Sequence, residues 1–325
     1  MATADRYFAL GFESTYGTSV TPTLFLPVAS ANIEEPPPAM IDFGGIRYGE
    51  YGMNEQDIAF GPRVGGSVSF EGAMLQADGY HTLLSHVFGS ISTTSTTPTR
   101  VSALTIASTN GKFMTAQVVK PYHDGTASLV QTAKGSKFTQ ASLSLVKGGV
   151  VRLSGTMDVR NVVSNVATTT ASYSTASRPF LWHKTSTLTV DGSTVTCSGW
   201  TVNITRPLET NTDSLSSDGL KTEPPNNGNV EIELTLNDVL FDGVTHYNNV
   251  MSTSSSDRIK AVVIKTTSDT NTGQYIQFSA GKAMYMSGPP DGLTRDQYRI
   301  PMNLTFRLLY ATTGTTPLTC TLVHV

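Results

Sequence analysis

Apolar and polar positions alternate with period two along much of the chain. Asn229–Asn237 (NVEIELTLN) is the cleanest stretch: Val230, Ile232, Leu234 and Leu236 share one side, Glu231, Glu233 and Thr235 the other. In Ser67–Glu71, Ser67, Ser69 and Glu71 oppose Val68 and Phe70. In Val151–Val159, Arg152, Ser154, Thr156 and Asp158 oppose Val151, Leu153, Met157 and Val159. Trp200, Val202 and Ile204 oppose Thr201, Asn203 and Thr205; Met302, Leu304, Phe306 and Leu308 oppose Asn303, Thr305 and Arg307. Such alternation predicts strands with one buried and one wet face, paired antiparallel. Lys147-Gly148-Gly149 predicts the turn of a hairpin joining Ala141–Val146 to Val151–Val159.

Helical periodicity is scarce. Tyr80, Leu83, Leu84, Val87 and Phe88 predict a helix over Leu75–Phe88, ended by Gly89, and Asp242–Met251 is a weaker candidate. Three stretches read as loops: Glu34–Pro62 with Pro36-Pro37-Pro38, the Ser/Thr run Ile91–Arg100, and Glu209–Gly228. Loops this long in a compact domain are usually functional or disordered. The order strand, long loop, strand, helix, strand occurs twice, from the strand near Leu24–Ala29 and again from Trp200–Thr205. It predicts an internal duplication, residues 1–170 and 171–325, with the boundary in Ser164–Ser177.

Composition strengthens the all-β reading. The 325 residues are 14% charged, below the usual ~25%. Ser and Thr, suited to strands and turns, make up about a quarter of the chain. A net charge of -3 argues against holding nucleic acid by phosphate neutralisation. Cys197 and Cys320 form no spaced pair, so neither a disulfide framework nor a cysteine metal site is expected. The N-terminal residues lack a basic and then apolar secretory pattern, and no apolar run is long enough to span a membrane. The expectation is synthesis and folding in a cytoplasm.

Candidate chemistry is thin. His81 and His86 are five apart on the expected helix and face different ways. Zincin, phosphate-loop, nucleophile-elbow, dinucleotide and calcium-loop spacings do not occur. No catalytic residue, cofactor or metal is expected. The polar strand faces are the remaining candidates. Glu71, Glu231 and Glu233 lie either on a solvated sheet surface or on a channel wall, where hydroxyls and carboxylates let DNA pass without sticking.

The opening Gly11–Pro22 (GFESTYGTSVTP), followed by Leu26-Pro27-Val28, resembles the N-terminus of bacteriophage tail tube proteins. The resemblance continues in element order through Val64–Gly72, Leu83–Gly89, Gly135–Val159 and Gly228–Leu240. It implies an antiparallel β-sandwich with a flanking α-helix, whose inner strands join those of neighbouring copies into one barrel. Rings of this kind stack into a tube conducting the genome. About 24 strands at ~4.8 Å spacing and ~40° tilt give a barrel on the order of 48 Å across, wide enough for duplex DNA. Two tube folds per chain imply a trimeric ring with pseudo-sixfold symmetry; one enlarged fold implies a hexamer. Implied partners are further copies, a tape-measure protein, tail terminator and tip proteins, and double-stranded DNA in transit, with no membrane; the implied place is the virion tail.

The expected channel lining is Ser67, Ser69, Glu71, Arg152, Ser154, Thr156, Asp158, Glu231, Glu233, Asn303, Thr305 and Arg307. The loops Glu34–Pro62 and Glu209–Gly228 are expected to make inter-subunit or inter-ring contacts, and the first carries the apolar Ile41, Phe43, Ile46, Tyr48, Tyr51 and Met53. Alternative readings are a capsid decoration or tail-tip protein, or a carbohydrate-binding sandwich or adhesin using Trp182 or Trp200 as a platform.

Overall fold

The computed structural model describes all residues except 1–5, 39, 43–54, 56–57, 62, 77–78, 97–98, 124–126, 174–179, 181–185, 210–211, 213–219, 241–242, 269–272, 289–299, 312–314 and 325. Residues up to Ser164 form β1 (Phe8–Phe12), β2 (Leu24–Leu26), β3 (Ser30–Glu34), a small ribbon of β4 (Met40–Asp42) and β5 (Ile58–Phe60), and β6 (Ser67–Met74). Helix α1 (Tyr80–Phe88) follows, then β7 (Gly89–Thr96), β8 (Thr99–Ile106), β9 (Met114–Pro121), β10 (Ser128–Val146), β11 (Arg152–Asp158) and β12 (Asn161–Ser164). The remainder contains β13 (Thr187–Val190), β14 (Ser193–Thr194), β15 (Gly199–Thr205), β16 (Glu231–Leu240), α2 (Thr245–Met251), α3 (Ser255–Arg258), β17 (Ile259–Thr267), β18 (Tyr275–Ser287), β19 (Pro301–Leu308) and β20 (Thr319–His324).

All named strand pairings are antiparallel. The long β10 belongs to two sheets. Its first part pairs with β9 and β12, and β9 continues to β1 and β2. Its second part sits inside the main sheet, in the order β3, β6, β11, β10, β15, β16, β19, β18. The passage between them is a register shift between Ala133 and Ser136, where Gly135 takes φ 62. The sheets face one another across an apolar core: Phe8 of β1 meets Phe70 of β6 at 5.1 Å between ring centroids, and Leu10, Val118, Leu143 and Met157 join the same cluster. The fold is thus a sandwich with α1 packed on its core. The opposite side of β1 and β9 carries Tyr7, Ala9 and Val119, which pack with Val130, Val166 and Ala171.

Seven of the nine pairings among the first twelve strands recur in the last eight; β4·β5 and β7·β8 do not. The pairs β1·β2, β1·β9, β9·β10, β10·β11, β10·β12, β3·β6 and β6·β11 have counterparts in β13·β14, β13·β17, β17·β18, β18·β19, β18·β20, β15·β16 and β16·β19. The irregularities recur as well. Strand β6 bulges at Gly72 (φ 68) and β16 at Asp238 (φ 50). Strand β10 shifts register between Phe138 and Gln140, and β18 between Tyr285 and Ser287.

Three expectations need correction. The helix begins at Tyr80, not Leu75, because Gly79 takes a left-handed φ of 78 and the N-terminal residue Leu75 bonds Val151 instead. Its end is as expected: Gly89 takes φ 99 and its N–H donates to Ser85 O. The Ser/Thr run Ile91–Arg100 is not a loop but the β7–β8 hairpin, paired from Gly89↔Ile106 to Thr96↔Thr99. Threonine is a good strand former, and Thr93 and Ser102 hydrogen bond across the pair at 3.1 Å. Finally, the strand that leads into the first long connection is β3, not a strand near Leu24–Ala29.

Candidate functional site

Strand register gathers the alternating positions into continuous polar rows. One row runs Asn32, Ser69, Thr156, Gln140, Thr205, Glu231 across six neighbouring strands. A second runs Ser154, Ser142, Asn203, Glu233, Arg307. A third runs Arg152, Ser144, Thr201, Thr235, Thr305, Ser287. Between these rows the inward rows are apolar, such as Leu153, Leu143, Val202, Leu234, Phe306, all buried. At ~4.8 Å between strands, six strands make a wall on the order of 25 Å wide.

The expected lining residues sit as follows. Ser69, Glu71, Arg152, Thr156, Glu231, Glu233, Asn303 and Arg307 are exposed, and Ser67, Ser154, Asp158 and Thr305 are half-buried. Arg307 donates to Glu231, and the two side chains keep 47% and 62% of their exposure. Arg152 donates to Gly72 O at 3.2 Å, and Ser154 Oγ accepts from Gly72 N at 3.1 Å, so both hold the β6 bulge. Asn303 does the same at the second bulge, its Oδ1 accepting from Asp238 N at 3.0 Å. Ser67 Oγ donates to Glu34 at 3.1 Å. Asp158 is engaged by Lys221 at 2.9 Å, its side chain only 11% exposed, which sets it apart from the open face. Both arginines are therefore held by acceptors within the fold, and the open face is rich in hydroxyl, amide and carboxylate groups.

The sequence reading omitted the centre of this wall. Gln140, Ser142 and Ser144 of β10 and Thr201, Asn203 and Thr205 of β15 occupy two adjacent inner strands. The alternation Ala141–Val146 was the available signal, but it reveals only a hairpin arm until the partner strand is known.

Of the apolar side chains in the first long connection, Ile41 is described and exposed; Phe43, Ile46, Tyr48, Tyr51 and Met53 lie outside the described residues. Its flanks expose Met40 and Phe60 on the β4–β5 ribbon. The described part of the second long connection turns inward instead. Leaving β15, Arg206 donates to Val87 O, Phe88 O and Ala107 O at 3.0, 2.6 and 2.9 Å, closing the end of α1; burial pulls its pKa down to about 10. Further on, Glu223 and the Pro224 carbonyl receive the buried Lys137 ammonium at 2.8 and 2.9 Å.

The N-terminal phrase has a structural task. Buried Glu13 accepts from Thr115 Oγ1 at 2.7 Å, Gly135 N at 2.9 Å and Gly17 N at 2.9 Å. Tyr16 packs edge-on against Phe113, with the Arg160 guanidinium 5.6 Å over its ring. These side chains surround the β10 bend.

Other chemistry finds little support. Among the described residues no group of three His, Cys, Asp or Glu side chains could hold a metal, and no helix is long and apolar enough to cross a membrane. A surface cavity of about 660 Å³ beside β1, β2 and β3 brings Arg6, Tyr7, Lys120 and Tyr173 together, with no carboxylate or histidine among the described residues that line it. Trp200 is fully buried against Phe278 and offers no sugar platform; Trp182 lies outside the described residues.

The sequence matches the family model described as phage tail tube protein over residues 3–292. The chain belongs to that family. No curated protein matches it. Membership makes this a structural protein of the virion tail, from a family that is not one of enzymes, and agrees with the β-rich sandwich.

Proposed function

We propose that copies of this tail tube protein join into rings, that the rings stack into a hollow tube, and that the tube conducts the double-stranded genome from capsid to host. The observation that carries the reading is the continuous polar wall: six adjacent strands whose inward rows are buried and whose outward rows carry hydroxyls, amides and carboxylates. DNA sliding past such a wall meets few unpaired cations, and phosphate contacts are what would hold it back. The expected lining residues, with Asp158 set aside by its ion pair and the β10 and β15 side chains added, face the channel in this reading.

The repeated pairing pattern supports two tube folds per chain, meeting between β12 and β13, and hence three chains per pseudo-sixfold ring; six chains per ring is the alternative. The exposed Met40, Ile41 and Phe60 support contacts from the first long connection to another subunit. A tape-measure protein inside the tube and terminator and tip proteins at its ends complete the assembly. Negative-stain microscopy of the purified protein tests the reading: hollow tubes about 100 Å wide are expected, from a barrel plus an outer layer ~10 Å away on each side and its loops. Protein that stays monomeric under all conditions, or closes into solid particles, overturns it.

A further inference from the structure

We propose that Lys137 and Glu223 close an amide bond between their side chains, a covalent staple made inside one folded copy. The staple goes beyond the tube reading and needs no second subunit.

This pair differs from the exposed ion pairs of the fold. The Lys137 side chain is fully buried, its Nζ donates to Glu223 Oε1 at 2.8 Å, and a second hydrogen goes to the Pro224 carbonyl at 2.9 Å. Arg307 and Glu231, by contrast, keep 47% and 62% of their exposure. Burial pulls the Lys137 pKa below the usual lysine value, against the opposing pull of Glu223, which brings the nucleophilic amine within reach. A buried ion pair often recovers its desolvation cost only in part, whereas an amide has no charge to desolvate.

Two more groups stand where amide formation needs them. The Gly111 N–H donates to the same Oε1 at 2.7 Å. Negative charge collects on that oxygen when an amine adds to the carboxyl carbon, and a fixed N–H stabilises it. The Tyr16 hydroxyl is buried without a hydrogen-bond partner among the described residues, a cost that packing does not explain. Burial raises its pKa, and the charges of Asp158 and Glu223 raise it further, so the phenol keeps its proton within reach of their field. The segment is also held in place: Lys221, two residues before Glu223, is bound at 2.9 Å by Asp158, which opposes Lys137 in strand register. Reactants fixed in this way gain the rate of an intramolecular reaction.

The step balances in atoms and charge. The Lys137 ammonium gives up a proton, which Tyr16 relays to Glu223 Oε2, leaving an amine and a carboxylic acid. The Nζ lone pair forms the bond to Cδ, with Oε1 held by Gly111. A second proton from Nζ passes by the same route to Oε2, the Cδ–Oε2 bond breaks, and one water leaves. Nothing is oxidised or reduced, and no co-reactant is needed. The Glu223 side chain keeps 28% of its exposure, which gives the water a way out. The product ties β10 to the segment that leads into β16.

Intact-mass spectrometry of the purified full chain tests the staple. The unaltered protein is expected to be lighter than its sequence by one water, about 18 Da. Lys137→Arg keeps a buried cation and cannot form this bond, so it is expected at its full mass. Trypsin spares an acylated lysine, so residues 135–147 are expected as one peptide, branched to residues 222–258. Tyr16→Phe keeps the ring and should slow the water loss about 100-fold without lowering the melting temperature. A folded, unaltered chain that holds its full mass through prolonged incubation at neutral pH overturns the staple, as does water loss that persists in Lys137→Arg. Water loss at the unaltered rate in Tyr16→Phe overturns the relay.

Discussion

The Glu13 carboxylate accepts a hydrogen bond from the backbone N–H of Gly135, at 2.9 Å, at the point where β10 leaves one sheet and enters the other. The same oxygen takes the Thr115 hydroxyl, and the second oxygen takes the Gly17 N–H. Gly135 cannot be replaced easily, since a Cβ there would stand 2.8 Å from the Tyr16 ring at a φ of 62. The N-terminal phrase GFESTYG therefore clamps the bend on which the sandwich is built. Removing the carboxylate strands three donors, each costing ~1–3 kcal/mol if buried and unpaired. Glu13→Ala is expected to lose about 3 kcal/mol or more in urea unfolding, with Glu13→Gln between it and the unaltered protein because one amide oxygen survives.

Arg206 sets the second clamp. It is almost fully buried, and three carbonyls at the end of α1 and the start of the segment after β8 depend on it. Arg206→Ala is expected to cost about 2–4 kcal/mol, from the unpaired carbonyls it leaves. Arg206→Lys, which cannot present the planar fork, should recover only part of that. Thermal denaturation of the three proteins checks the order; equal melting temperatures would refute it.

The buried His86 makes stability depend on pH. Burial lowers its pKa from 6.5 to about 4, and its Nδ1–H donates to Thr82 O at 2.9 Å, which fixes the neutral tautomer. Below pH 6.5 the unfolded chain takes up a proton that the folded chain refuses. Stability therefore falls as pH drops from 6.5 and levels off below about 4, by about 3 kcal/mol in all. Urea midpoints at pH 7 and pH 4.5 should differ less for His86→Gln than for the unaltered protein. An unchanged difference would show that other groups carry the acid sensitivity.

Much of this fold was legible because alternation is a local property. Strands β6, β11, β15, β16 and β19 could be read from their own residues, and Gly89 marked the helix end. Register was not legible. Whether Thr156 faces Gln140 or a neighbour depends on a bulge between Phe138 and Gln140 that no spacing announces. The β7–β8 hairpin was missed for a different reason: its Ser/Thr run has almost no hydropathy contrast, so strand propensity without alternation was read as a loop. The polar wall was half seen for both reasons. Strand β15 alternates as strongly as its neighbours, but the small hydroxyls and amides of β10 and β15 take a place in the wall only when their partner strands are known.

The two glutamates of β16 offer the sharpest test of the wall's role. Glu231 and Glu233 are exposed, next to one another on the polar face, and Glu233 is opposed in register by Arg307 while Glu231 accepts from it. Replacing both by Lys gathers three cations on a surface that now carries two carboxylates and one guanidinium. Exposed pairs contribute ~0.2–1 kcal/mol, so the subunit should fold and the tubes should form. The effect belongs to transit. Each lysine that engages a phosphate steepens the salt dependence of DNA binding by ~0.9 in the log–log slope, and in the proposed tube every ring adds its own copies. Virions carrying Glu231→Lys and Glu233→Lys are therefore expected to release DNA more slowly at low salt and to approach the normal rate as salt rises. A release rate equal to that of the unaltered tube at low salt would mean that these side chains do not face the genome.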